Sequence, residues 1–173
     1  MSFFNQPNLR MWEKESHKLY FDNRAIEVAP EDLTKLDGSR YFDYDHAHEA
    51  AAAVGKGWRI PTPAEMQLIL ALAALKEDAP MLNAESAIKT LGLDFVGYGV
   101  GLGKDTKFIG QYAGEQGYYW LDSLVDRSKS TVGYIVSGYV LQLMDITNSA
   151  NLSSLDAEKG AAVRLVRTIN WLK

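Results

Sequence analysis

The chain has 173 residues with 47% hydrophobic and 23% charged residues, enough for one well-filled core and ordinary for a globular domain. A formal net charge of −4 and no basic run argue against a phosphate-binding surface, so nucleic acid is not an expected partner. The absence of cysteine excludes a disulfide framework, a thiolate metal site and a cysteine nucleophile.

The first stretch, MSFFNQPNLRMWEKESHK, lacks a basic leader followed by an apolar core, so it does not read as a signal peptide. The longest apolar run, 66–75, is far short of the roughly 18 residues a membrane span needs. Folding in the cytoplasm is the expectation. Residues 1–40 carry the aromatic anchors Phe3, Phe4, Trp12, Tyr20 and Phe21 and read as a strand and docking segment integral to the domain. Phe3, Phe4 and Trp12 suit burial against a second copy or a partner, and equally burial within the chain.

HKLYFDNRAIEV reads as one or two short strands, Leu19–Phe21 and Ala25–Val28, joined by a turn at Asp22-Asn23. Asp37-Gly38 signals a hairpin or loop. The alanine-rich DYDHAHEAAAAVG predicts a helix over 45–54 that stops at Gly55. His46 and His48 are two apart, which on a helix points them away from each other, so they are not placed to share a metal.

In GWRIPTPAE, Thr62 fits an N-cap, Pro63 the first helical residue, and Glu65 the reciprocal partner of a capping box. The helix is therefore expected to begin at Pro63 and to bury Met66, Ile69, Leu70, Ala73 and Ala74. A third helix is expected over 85–90, capped by Asn83 or Ala84 and stopped by Gly92.

After Gly92 the pattern changes to period 2. LDFVGYGVGLG alternates Val96, Tyr98, Val100 and Leu102 with glycines and predicts a strand with one nearly bare face, on which an aromatic or backbone neighbour can sit. Tyr98 occupies the place of the first P-loop glycine and Asp105 that of its hydroxyl residue, so a phosphate loop is disfavoured. TKFIGQY, GYYWLDS, TVGYIVSGYVLQLM and AAVRLVRTINWL are further strand candidates. Early helices and late strands predict an α+β fold with two to three short helices on a mainly antiparallel, twisted sheet.

Taken together, GWRIPTPAE, GYYWLDS and GAAVRLVR resemble the G-W-R-L-P-T-x-x-E, Y-W-S-S-T and S-V-R-C-V-R signatures of the C-type-lectin-like superfamily. The closest branch is the Fibrobacter succinogenes major paralogous domain. Variable ligand-binding proteins of diversity-generating retroelements, phage tropism determinants among them, share that fold. The resemblance spans about residues 41–169 and implies a lectin-like domain over 41–173.

It also implies roles for single residues. Trp58, Arg59, Thr62 and Glu65 lie in the first motif, and Trp120 falls where the core tryptophan of the fold packs. Val54 and Leu165 occupy the positions of two cysteines that usually form a bridge. Such a bridge contributes about 2–5 kcal/mol and a buried aliphatic side chain about 1.5–3 kcal/mol, so an apolar Val54–Leu165 contact would offset much of the loss. Formylglycine-generating chemistry needs cysteines that are absent. The calcium-dependent sugar site needs E-P-N or Q-P-D with W-N-D; Gln6-Pro7-Asn8 lies outside the matched region and W-N-D does not occur, so neither calcium nor another cofactor is expected.

Flat aromatic faces suit sugar stacking, and with Trp120 assigned to the core, Tyr118 is the surface candidate. Arg59 and Arg164 are expected in structural pairs with carboxylates such as Glu65. No serine, histidine and aspartate triad can be argued from three loosely spaced histidines. In this fold ligands meet the region between the middle and last strands. There MDITNSANLSSLDAEKG, 144–160, reads as the largest polar irregular stretch. It offers Asp145, Asn148 and Asn151, with Asp122 and Asp126 of LDSLVDRSKS as neighbours; the alternative is a plain solvated loop. The resulting expectation is a non-enzymatic recognition module displaying a lectin-like domain on a phage virion or tail. It would bind a host surface glycan or protein beside other virion proteins. A virion decoration protein without ligand and a bacterial ligand-binding protein are the alternatives.

Overall fold

A computed structural model describes residues 9–21, 24–76, 83–101, 108–125 and 136–170. Within them three helices and ten strands form an α+β fold whose sheet pairings are antiparallel, apart from two isolated parallel bridges. No described helix is long and apolar enough to cross a membrane.

Helix α1 (Tyr44–Val54) starts one residue earlier than expected, because the Asp43 side chain accepts the His46 amide and becomes the cap. Its small residues Ala47, Ala50 and Ala51 are buried, and Gly55 closes it by donating to the Ala51 carbonyl. Helix α2 (Pro63–Lys76) buries the five expected positions. Its capping box is complete: the Glu65 amide donates to Thr62 Oγ1 at 3.1 Å and the Thr62 amide to Glu65 Oε1 at 3.0 Å. Helix α3 (Ala84–Leu91) is capped by Asn83 and ends at Gly92, whose φ of 66° is left-handed.

The first strands are β1 (Leu9–Arg10), β2 (His17–Phe21), β3 (Arg24–Val28) and β4 (Thr34–Lys35). β1 pairs with β4, and β2 forms the expected hairpin with β3, its turn residues lying outside the described ones. β10 (Val166–Asn170) pairs with the other edge of β3, so the last strand lies against an early one.

β5 (Tyr98–Gly101) and β6 (Phe108–Gln111) make a two-stranded ribbon. The glycine series yields a strand of only four residues, because 93–96 are irregular; Leu102 and Asp105 lie outside the described residues. Close approach is the reason for glycine here: a Cβ on Gly99 would sit 2.6 Å from the Phe108 Cβ.

β7 (Gln116–Leu124), β8 (Ser137–Met144) and β9 (Ser149–Asp156) form the central meander. β9 corrects the expectation of an irregular polar stretch over 144–160. Eight of its residues pair with β8, from Ser149 opposite Met144 to Asp156 opposite Ser137, because ladder hydrogen bonds come from the backbone and do not require apolar side chains. The expected strand over AAVRLVRTINWL is also shorter. Residues 161–165 are a buried extended connector that bridges Phe42 and Tyr119, and regular pairing begins at Val166.

The central sheet divides the core by its pleat. Tyr119, Leu121, Leu141 and Leu143 face the cluster built with α2 and α3, whereas Tyr118, Trp120 and Val140 face the cluster built with α1 and Trp58. Trp120 is fully buried and donates from Nε1 to the Phe42 carbonyl at 2.6 Å. Leu165 is fully buried in that second cluster, and Val54 packs against the same cluster from the end of α1. Trp12 meets Trp58 edge-on at 5.2 Å, so this anchor is held within the chain; Phe3 and Phe4 lie outside the described residues.

Candidate functional site

One face of the central sheet is covered at one end and open at the other. At the covered end Tyr44 of α1 meets Trp120 edge-on at 5.5 Å. Toward the β8–β9 turn the same face carries Tyr118, Gln142 and Asn151 in one cross-strand row, set by the pairings Tyr118 with Gln142 and Gln142 with Asn151. Gln142 is half-buried and Asn151 exposed.

Tyr118 is not the surface residue expected. Only 8% of it is exposed, and burial raises its hydroxyl pKa. The hydroxyl donates to Gln116 and accepts from Gln142 Nε2 at 2.9 Å, so it anchors the two amides. It is covered by Tyr98, whose ring meets it edge-on at 5.3 Å. Tyr112 in turn lies 5.9 Å from Tyr98, and Lys159 Nζ sits 5.1 Å from the Tyr98 ring. The exposed aromatic is Tyr112, 52% accessible.

Tyr112 also has a left-handed backbone, φ 59°, which costs a non-glycine residue about 1–2 kcal/mol. Its carbonyl accepts the amides of Glu115 and Gln116, each at 3.0 Å, and this turn holds the conformation. An exposed tyrosine held by this turn, next to the Tyr98 ring with Lys159 upon it, is able to stack on and to hydrogen-bond a ligand.

The other candidates are distributed as follows. Asp145 and Asn148 occupy the β8–β9 turn, outside the row. Asn148, at φ 46°, accepts the Glu85 amide on its side chain at 2.9 Å and thereby holds the first turn of α3, a structural task. Asp122 lies toward the far end of β7, within the irregularity between Trp120 and Leu124, with its carboxylate 2.9 Å from His48 Nε2. It is not part of the row, and Asp126 lies outside the described residues. His46 instead pairs with Asp43 at 2.7 Å, so the two histidines serve different partners.

Arg59 forms the expected pair with Glu65. Burial pushes the Glu65 carboxyl up, but the Arg59 guanidinium and Thr62 outweigh it and hold the carboxyl below its usual range. Arg164 does not join them; its partner is Asp32, at 2.8 Å.

Sequence reasoning missed Tyr98, Tyr112, Gln116 and Gln142. Gln142 carried a legible signal as the only amide in the apolar run YVLQLM. Tyr112 carried none, because its importance comes from a backbone conformation. Compared with family models, curated proteins and solved structures, the chain matches none.

Proposed function

We propose that the chain is a recognition module on a C-type-lectin-like scaffold, and that it serves a phage virion or tail as a receptor-binding protein. The observation that carries this reading is the row Tyr118–Gln142–Asn151, buried at Tyr118 and exposed at Asn151, together with the strained, exposed Tyr112. Such a surface offers an aromatic face and neutral hydrogen-bonding groups, which suit a host glycan or a polar protein surface. The scaffold reading is supported by the buried Trp120, the complete Thr62–Glu65 box, and Val54 and Leu165 in one apolar cluster.

Glycan arrays and host-cell binding with the full chain test the proposal. Gln142→Ala and Asn151→Ala are expected to weaken binding at least about tenfold, equivalent to 1.4 kcal/mol. Asp145→Ala, in the β8–β9 turn outside the row, is expected to have a smaller effect. Binding that survives both row substitutions would remove the site, and no binding to any host component would favour a decoration protein.

A further inference from the structure

A second site lies away from the sheet. A cleft of about 490 Å³ opens between residues 10–14, the segment 30–34 and Gly92–Asp94, with Arg40 on its wall and Arg164 at its base. Its floor is rigid. Buried Arg164 donates to Asp32 Oδ1 from Nε at 3.1 Å and from Nη2 at 2.8 Å, and also to the carbonyls of Ala29, Leu91 and Gly92. One guanidinium thus ties together two segments that line the cleft.

The other oxygen of Asp32 accepts from the Tyr119 hydroxyl at 3.1 Å and from Arg40 Nη1 at 3.2 Å. Two guanidiniums therefore share one carboxylate. The other carboxylate near Arg40 is Asp94, 3.5 Å away and 59% exposed, at the outer limit of a hydrogen bond. The lining also includes Arg10, which spends one donor on the Leu36 carbonyl, and Lys14, with no charged partner among the described residues. Counting the whole lining, four cations face three carboxylates in a chain of net charge −4. Trp12 adds an apolar wall.

We propose that this cleft binds an oxyanion, a carboxylate or a phosphate, on a ligand of small-molecule size. Arg40 meets the oxyanion in place of Asp94, and Arg10 and Lys14 close on it. A guanidinium fork matches two oxygens of such a group, and the volume falls within the range of ligand pockets. The site does not depend on the sheet platform.

Titration of the full chain with citrate and, separately, inorganic phosphate tests this, with backbone amide and arginine Nε–H NMR signals as readout. Saturable shifts at Arg10, Trp12, Lys14 and Arg40 are expected. Arg40→Gln should weaken the midpoint at least about tenfold. Because Arg40 also touches Asp32, the exposed pair Arg10→Gln with Lys14→Gln is the second variant, expected to weaken binding while near-UV circular dichroism stays unchanged. Gln142→Ala should leave these shifts intact. Saturation by citrate alone assigns a carboxylate ligand, and saturation by both probes a general oxyanion site. Shifts that never saturate, or that persist unchanged in both variants, overturn the proposal.

Discussion

Asp32 and Arg164 stand 132 residues apart in the chain and 2.8 Å apart in space, each with a side chain only 2% exposed. Removing one member of a buried ion pair leaves the other charged and desolvated, which costs about 3–5 kcal/mol. Asp32→Ala should therefore lower the free energy of unfolding by that amount in urea titrations. A loss below about 1 kcal/mol would mean that water replaces the carboxylate and that the floor of the cleft is not dry.

Glu65 governs acid behaviour at the start of α2. Its carboxyl is held below the usual value of 4.5 in the folded chain, so its contribution is complete above that pH and is lost as the pH falls through the folded value. Glu65→Gln should flatten the stability profile below pH 4.5. Thr62→Ala, which removes the other half of the box, should cost about 1 kcal/mol at neutral pH.

His17 acts at milder pH. Burial first, then the charges of Arg164 and Lys76, lower its pKa from 6.5. The unfolded chain takes up the proton at a higher pH than the folded one, so stability is full above 6.5 and declines as the pH drops toward the folded value. His17→Gln should reduce the slope of thermal midpoint against pH between 6.5 and the carboxylate range. An unchanged slope would assign the acid sensitivity elsewhere.

Tyr112→Gly separates recognition from folding. Glycine adopts φ 59° without the steric penalty, so the variant should unfold at the same temperature as the parent or be up to about 1 kcal/mol more stable. The ligand binding proposed for the sheet face should nevertheless fall, because the exposed ring is gone. Destabilisation of several kcal/mol would make Tyr112 a packing residue of Tyr98 instead.

The parts of the fold legible in the sequence were those whose causes are local. Asn83 beside Ser86, Thr62 beside Glu65, and the spacing of Met66, Ile69 and Ala73 all act within a few residues. β9 was hidden because five of its eight side chains are polar, and its pairing with β8 decides that it is a strand. The partner of Arg164 could not be read from spacing, since the chain must close before Asp32 comes within reach. The burial of Tyr118 is likewise a tertiary fact, set by Tyr98 arriving from the neighbouring ribbon.

The pleat of the central sheet gives the molecule unusual freedom to change what it meets. Gln142 is flanked in sequence by Leu141 and Leu143, and Asn151 follows Ala150, yet the neighbours point into the interior while the amides point out. Replacement of Asn151 leaves the interior packing in place, whereas Gln142 also donates to the buried Tyr118 hydroxyl. Substitution at positions such as Asn151 therefore changes what the sheet presents to solvent while the layers beneath it stay as they are.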